Sequence, residues 1–449
     1  MKNSLDKEIL RLSIPSIAAN LTVPLVGMVD TAVAGHLSGG DAAVFIGGIS
    51  VGSMLFSLLY WSFGFLRTGT GGLTAQAFGR GDRSEQERIL SRGVSLSLVI
   101  AAVLLLFQRP FVRIALLPLN ASAQVEELAT QYFLTRIWAA PATLSLMVFS
   151  GWFVGMQDTM SAMFKDFIVN GVNIAASIVL SFGVGPFPGL GFRGIALGTV
   201  IAQYSGLAFC VAVCLVKYRC SLFVRGSLKG MKGFFKMNLD LLGRSAGFIA
   251  IYIGYTAIAA GLGDTLLACS QIMMQLLMIF SYFTDGFAYA GEALTGRFIG
   301  ARDPLSLGRS VRHVFAWSMG VGALFIGIYA LGGGTLIRLM TSDAGVCEAC
   351  GAFIPWLLAM PLLGCAAFTW DGIYMGATDS RRICNAMLGA AVAFFAVWFG
   401  SEPVLGLLCP GADPCPLHVL MAAYFAHILF RTVYLTLCYP RSCWREVRA

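Results

Sequence analysis

An acid set in a long apolar run needs a reason to be there. An ionised side chain near the centre of a bilayer costs about 2.5–3.5 kcal/mol on insertion scales, so it must have a partner or a purpose. Four acids stand out in this way: Asp30 in PLVGMVDTAVAG, Asp285 and Glu292 in TDGFAYAGEALTG, and Asp371 in FTWDGIYMG. Asp30 is the sharpest case. A poorly solvated carboxylate can take up and release a proton during a transport cycle. The competing reading puts it at the outer membrane interface, because His36 and Asp41 mark a loop a few residues on. Pro15 and Pro24 precede it; each removes a backbone donor, which can bend a helix and free carbonyls near the carboxylate.

Asn170 and Asn173 are three apart and share a helix face, so with Thr199 they could complete a polar pocket around Asp30. Interhelical hydrogen bonding by the asparagines is the alternative. Gln203 and Tyr204 follow Thr199 and could line the same cavity. Asp285 and Glu292 are seven apart, two helical turns, and share one face, whereas Asp371 has no partner within its own run. Arg67, Arg136 and Arg431 are the cations available to neutralise these acids. Arg67, Asp285, Glu292 and Asp371 are expected to act as lobe-interface or gating charges, with plain structural ion pairing as the alternative. Trp61, Tyr132, Trp138 and Tyr282, together with Met274, suit a large adaptable cavity for aromatic cations. Near the ends of spans the same aromatics also fit interfacial belts.

The elements that must position these side chains follow from composition. The chain has 449 residues, 57% hydrophobic and only 12% charged, with a mean hydropathy of +0.77. A soluble domain carries about 25% charged residues, so the solvent here is lipid. Apolar stretches fall at 10–35, 42–66, 93–118, 125–152, 160–184, 193–216, 239–262, 265–290, 311–338, 350–376, 383–408 and 416–438. A span needs about 20 such residues, which makes twelve transmembrane helices and an all-α membrane fold. The N-terminus has a basic start and a long apolar run but no small-residue cleavage site, and reads as a retained first span.

Orientation follows from Lys and Arg. With the N-terminus inside, 24 of the 31 basic residues fall in cytoplasmic segments, among them Lys165 and Arg244, and only Arg109, Arg113, Arg193 and Arg338 fall outside. This bias places both termini in the cytoplasm and explains the net charge of +8 without a nucleic-acid partner. The longest polar connection, 217–237, reads as a cytoplasmic linker between an N-lobe of spans 1–6 (1–216) and a C-lobe of spans 7–12 (238–449). An internal repeat supports the division. Gly79, Asp82, Gly151, Gly155 and Asp158 recur as Gly300, Asp303, Gly372, Gly376 and Asp379, all at one offset of 221. Six spans per half is an even number, so the repeats run parallel about an axis along the membrane normal, with a central cavity between two lobes that can rock.

Twelve cysteines suggest a disulfide framework, but Cys210, Cys214, Cys269, Cys365 and Cys384 lie in apolar runs and read as inert thiols. Cys347 with Cys350 and Cys409 with Cys415 are the pairs that an oxidising face could join. With four histidines in the chain, no structural metal is expected. No nucleophile stands beside a base at helical spacing, and no phosphate-binding loop is present, so neither an enzyme nor direct ATP coupling is expected.

MVDTAVAGHL, FLRTGTGGLTAQAFGRGD, GWFVGMQDT and DGIYMGATDS, set in twelve spans, resemble the multidrug and toxic compound extrusion (MATE) family, its DinF branch in particular. The resemblance covers essentially the whole chain. It implies a cation-coupled antiporter of the bacterial inner membrane, without a cofactor, working as a monomer among membrane lipids. Such a protein exports diverse, often cationic and lipophilic small molecules in exchange for protons or sodium. The family's span 1 acid falls on Asp30, its span 5 asparagine on Asn173 and its span 6 threonine on Thr199. Four residues after that asparagine, where the family often has another acid, stands Ser177. The loss of that carboxylate disfavours sodium, which prefers several charged oxygens, and leaves proton coupling through Asp30 as the expectation. The span 7 glutamate of the NorM-like branch is absent, while Asp371 lies where that branch has a span 10 acid. Two further readings remain. One is a sodium-coupled exporter of an endogenous metabolite. The other is a flippase for a lipid-linked precursor, which the mixed intramembrane charges disfavour.

Overall fold

The computed structural model describes residues 2–37, 41–117, 122–184, 187–224, 231–408 and 415–448. Sixteen α-helices follow in chain order. They are α1 (Lys2–Gly35), α2 (Ala42–Ser62), α3 (Phe65–Gly79), α4 (Arg83–Leu106), α5 (Gln108–Leu116), α6 (Ala123–Arg136), α7 (Ala140–Gly155), α8 (Thr159–Phe182) and α9 (Phe192–Val213). After the connection come α10 (Met231–Ala260), α11 (Asp264–Gly300), α12 (Pro304–Met340), α13 (Ala344–Gly351), α14 (Ile354–Gly376), α15 (Ser380–Leu408) and α16 (Pro416–Arg448). A two-residue antiparallel ribbon, Gly183–Val184 with Phe187–Pro188, turns the chain between α8 and α9.

Twelve of these helical stretches are long and apolar enough to cross a bilayer, α2 with α3 and α6 with α7 each counting as one. Several run well beyond their apolar segments: the second reaches Gly79 and the eighth Gly300. Arg67 therefore lies within the second span helix, and Arg244 within the seventh, Phe235–Ala260. The polar connection is helical at both ends, with a π-helical turn at Cys214–Tyr218 and α10 beginning at Met231.

The helices pack as two compact units. One comprises Ala18–Phe78 and Asp82–Met231 (the N-unit); the other comprises Met1–Ile17, Gly79–Gly81 and Lys232–Ala449 (the C-unit). Small residues set the helix spacing in each, as expected where lipid supplies no hydrophobic drive between helices. In the N-unit, a methyl group at Gly194 would lie 2.6 Å from the Leu180 carbonyl, and one at Gly198 would lie 2.6 Å from the Ser177 backbone, so α8 and α9 cross almost backbone to backbone. Gly48 and Gly52 on α2 make room in the same way for Leu128 and Tyr132 on α6.

The motifs repeated at an offset of 221 are built as matching turns. Gly151 is pressed on the Arg67 carbonyl and Gly372 on the Ala288 carbonyl; Gly155 meets Gly71, and Gly376 meets Glu292. Every one of these contacts keeps the same offset. Each repeated aspartate ends one helix and starts the next. The amides of Asp82, Asp158, Asp303 and Asp379 donate back to Ala77, Phe153, Phe298 and Tyr374 at 2.8–3.2 Å. Their carboxylates accept from the amides of Glu85, Ser161, Ser306 and Arg382. The residue before each aspartate is left-handed: Gly81 at φ 69°, Gln157 at 60°, Arg302 at 56° and Thr378 at 57°. Only one of the four is glycine, so three side chains bear the cost that αL imposes on an L-residue.

Two outcomes follow. Gly155→Ala and Gly376→Ala should each cost about 1–3 kcal/mol by overpacking, read as a lower melting temperature of the purified protein. At Asp158, burial pushes the carboxyl up, but Lys217, the Ser161 hydroxyl, Tyr218 and the Ser161 amide together hold it below its usual 3.8. A lowered folded value means stabilisation that is complete above the unfolded value and lost as pH falls through the folded one. Melting temperatures of the native protein and Asp158→Asn should therefore differ at neutral pH and converge in acid; a constant gap would show that the carboxylate charge contributes nothing.

Candidate functional site

In the N-unit, Asp30 is 5% exposed, and its Oδ1 has no hydrogen-bond partner. The helix that carries it runs unbroken through Pro15 and Pro24. Hydroxyls take up carbonyls along it, Ser16 bonding Leu12 at 3.0 Å, Thr22 bonding Ala19 at 2.7 Å and Thr31 bonding Gly27 at 2.9 Å. Beside the carboxylate stand the Ser177 hydroxyl and the charge of Arg136.

Around it the polar residues of α8 and α9 are assembled. Asn173, 2% exposed, donates through Nδ2 to the Thr199 hydroxyl at 2.9 Å, and Thr199 in turn reaches the Ile195 carbonyl at 3.4 Å. Asn173 Oδ1 is buried without a partner, like Asp30 Oδ1. Ser177 is fully buried. Asn170 sits one turn earlier on α8 and donates to Thr22 on α1 at 2.5 Å, tying the two helices together. Asp30, Asn173, Ser177 and Thr199 thus form one buried polar site.

Arg136, one of several cations the sequence offers, lends its charge to this site without a direct ion pair to Asp30. Its Nη1 donates to the Tyr132 hydroxyl at 2.7 Å, and its guanidinium lies 4.7 Å from the Phe56 ring centroid. Tyr132, expected in a cavity wall, is 1% exposed and holds this arginine. The chain of support runs from Gly52, whose missing side chain admits Tyr132, through Tyr132 to Arg136 and its charge beside Asp30. Tyr60, also within reach of the Arg136 charge, adds a buried hydroxyl.

The remaining expected cavity residues are more dispersed. Trp138 and Tyr204 are 56% and 43% exposed, and they touch each other, the Tyr204 hydroxyl donating to the Trp138 carbonyl at 3.0 Å. Gln203 and Trp61 are half-buried in the N-unit, and Tyr282 in the C-unit. Met274 belongs to the hydrophobic core of the C-unit. Glu292 is fully buried, and Asp285 is half-buried one face-repeat earlier on α11.

Asp371 takes Arg431, one of the cations the sequence offers, and also Arg244, which is not among them. It is 6% exposed and paired with both Arg431 from α16 and Arg244 from α10. The charge bias of the sequence assigns Arg244 to the cytoplasmic cations, although it falls inside the apolar run 239–262, which is the signal for its inward position. The same bias assigns Lys165 to them, yet it is 7% exposed and donates to the Ser150 hydroxyl at 2.6 Å. Both are long side chains whose charge is carried away from the sequence position of the backbone.

Among the described residues, no group of three or more His, Cys, Asp or Glu side chains comes together to hold a metal. Cys347, Cys350 and Cys415 carry free thiols, and Cys409 lies outside the described residues.

Twelve apolar helices in two compact units, with ionisable side chains neutralised inside each, have the build of a multi-pass membrane transporter. The family model described as MatE matches residues 15–179 and 245–399, and the chain belongs to that family. It is 34% identical over 412 residues to DNA damage-inducible protein F of Escherichia coli (strain K12), covering 90% of this chain and 87% of that protein. It is 24% identical to the probable multidrug resistance protein NorM of Photorhabdus laumondii, covering 89% and 86%. A crystal structure of MATE in complex with MaL6 superimposes with a TM-score of 0.83 at 16% identity, over 99% and 98% of the two chains, and has the same fold. The family consists of ion-coupled transporters rather than enzymes.

A charge can act on a buried carboxylate across intervening side chains without a salt bridge between them, and such coupling appears as non-additivity of the two substitutions. Arg136→Gln should therefore lower the melting temperature, and adding Asp30→Asn should recover about 0.5 kcal/mol or more of the loss. Thermal unfolding of both single variants and the double variant measures the coupling; strictly additive effects would dissociate Arg136 from Asp30.

Proposed function

We propose that the chain is a proton-coupled exporter of small, often cationic and lipophilic molecules, working by alternating access, with Asp30 as the coupling carboxylate. The observation that carries this reading is the burial of Asp30 beside a single cation and neutral polar groups. One acid, one arginine, two hydroxyls and an amide suit the exchange of one proton. A hard monovalent cation prefers several charged oxygens, and at this site the second acid of related patterns is replaced by Ser177. Sodium coupling is therefore the weaker alternative.

The steps follow from electrostatics. Ionised Asp30 balances Arg136 and leaves the polar pocket able to hold a cationic compound. Protonation cancels the acid's charge and leaves Arg136 unbalanced, which disfavours a bound cation and favours its release to the outside. Loss of the proton to the cytoplasm restores the pocket. Coupling demands that the proton bind one conformation more tightly than the other, and the change of charge at a buried carboxylate supplies that difference. Asn173 and Thr199 hold the pocket's shape, and Asn170 fixes α8 to the helix that carries Asp30. The reading also places the protein in the plasma membrane of a bacterial cell with both termini inside, acting as a monomer.

The test is efflux of ethidium from proteoliposomes under imposed proton and sodium gradients, applied separately. The native protein should respond to the proton gradient, and Asp30→Asn should lose at least tenfold of that rate. Full proton-driven efflux by Asp30→Asn would remove Asp30 from the mechanism, and efflux driven by sodium alone would replace the coupling ion.

A further inference from the structure

The C-unit holds a charged cluster that the coupling site does not use. Arg431 and Arg244 both donate through Nη2 to the same oxygen of Asp371, Oδ2, Arg244 at 3.0 Å. One carboxylate thus faces two guanidinium groups, and the cluster carries a net positive charge. Neutralising Asp371 requires only one of them. The Arg431 side chain, 4% exposed, is enclosed with the acid, whereas Arg244 keeps 24% of its side chain exposed and is surplus to that pairing.

The surplus is unspent chemistry. A guanidinium has five N–H donors arranged to grip a carboxylate or phosphate through two parallel bonds. A single bond to an oxygen shared with Arg431 leaves most of Arg244's donors over, and its buried Nε has no hydrogen-bond partner. One turn along α16 from Arg431, His427 is 3% exposed, and its Nδ1 is likewise without a partner. The fold does not demand the arrangement: the offset of 221 puts Ser150 at the position of Asp371 in the other half, where no acid is present.

We propose that Arg244, with Arg431 behind it, docks an anionic oxygen group (carboxylate, sulfonate or phosphate) of the transported compound, so that amphipathic anions and zwitterions are among the substrates. This rests on the exporter reading above and extends its substrate class.

The experiment is equilibrium binding of carboxyfluorescein, an aromatic carboxylate, and of ethidium, an aromatic cation, to the purified full chain in phosphatidylcholine nanodiscs. No ion gradient is needed, so failure of proton coupling would leave the result standing. Arg244→Gln should weaken carboxyfluorescein binding at least tenfold while ethidium binding changes less than twofold. Arg244→Lys, which keeps the charge but loses the fork, should fall between. Arg431→Gln is the more disruptive change, because it opens a buried pair, and the half-exposed Arg244 variants keep the test independent of it. Absence of saturable carboxyfluorescein binding, equal binding by Arg244→Gln, or parallel loss of both probes would each overturn the proposal. Nanodiscs containing phosphatidylglycerol form a further arm. Displacement of carboxyfluorescein there, dependent on Arg244, would assign the cluster to a lipid headgroup and overturn the substrate assignment; undiminished binding supports it.

Discussion

Hydrocarbon gives a charged side chain nothing to hold, and this one constraint organises the interior of both units. Within the N-unit, Asp30 has the Ser177 hydroxyl beside it and the charge of Arg136 acting on it. Arg136 is in turn placed by a hydroxyl and two aromatic faces from α2 and α6. Those aromatics fit only because α2 presents glycine where Tyr132 passes. Remove the glycine and the ring must move; move the ring and the arginine loses both its hydrogen bond and its position. A site with no more than a handful of polar atoms therefore depends on helix spacing set by residues that carry no chemistry.

The two halves share a backbone plan and divide the chemistry. Matching contacts at one offset, glycine on carbonyl and aspartate as cap, show that the repeat encodes turns and close helix crossings. The polar positions do not repeat. The offset carries Asn173 and Ser177 onto Phe394 and Trp398, the first a fully buried core residue of the C-unit. Conversely, Asp371 maps onto Ser150, Glu292 onto Gly71 and Arg67 onto Ala288. Duplication has kept what holds the helices together, while each half carries ionisable groups where the other has none. An acid balanced by one arginine in one unit and an acid outnumbered by two in the other are electrostatically different environments, which a symmetric pair of sites would not provide.

What was legible from the residues alone follows the same division. Spans, repeat and the acid on the first helix were visible because hydropathy and spacing are local properties of sequence. The grouping of Asn173, Ser177 and Thr199 was accessible through the family resemblance and the shared helix face of Asn170 and Asn173. Partners were not legible. Arg244 and Lys165 reach their acid and hydroxyl through long flexible stems, so the sequence position of the Cα says little about the depth of the charge. Orientation arithmetic works by counting such residues as solvated, and it fails for those that turn inward. The repeated Gly and Asp positions were visible as a pattern, but the left-handed residue before each aspartate was hidden, because Gln157, Arg302 and Thr378 lack the glycine that would have announced it.

The helix bearing Asp30 has a further property that bears on coupling. Its first part, through Ile17, packs within the C-unit, whereas the remainder packs within the N-unit. The first part is held by charge: Glu8 is bound by Arg297, and Asp6 accepts from Trp317 at 3.0 Å and pairs with His313 at 2.8 Å. Close packing adds to this, Gly286 leaving room for Ile17 and the Ser13 carbonyl. The far part is held by the Thr22–Asn170 bond and by the charge of Arg136 on Asp30. On the proposed mechanism a proton acts only on the second set. A continuous helix anchored at its start cannot answer a change in that set as a free segment; it must tilt or bend, and Pro24 lies within the second set, between Thr22 and Asp30. On that mechanism Pro24 matters less as a source of free carbonyls than as a place where the helix can yield between the Thr22–Asn170 bond and the acid.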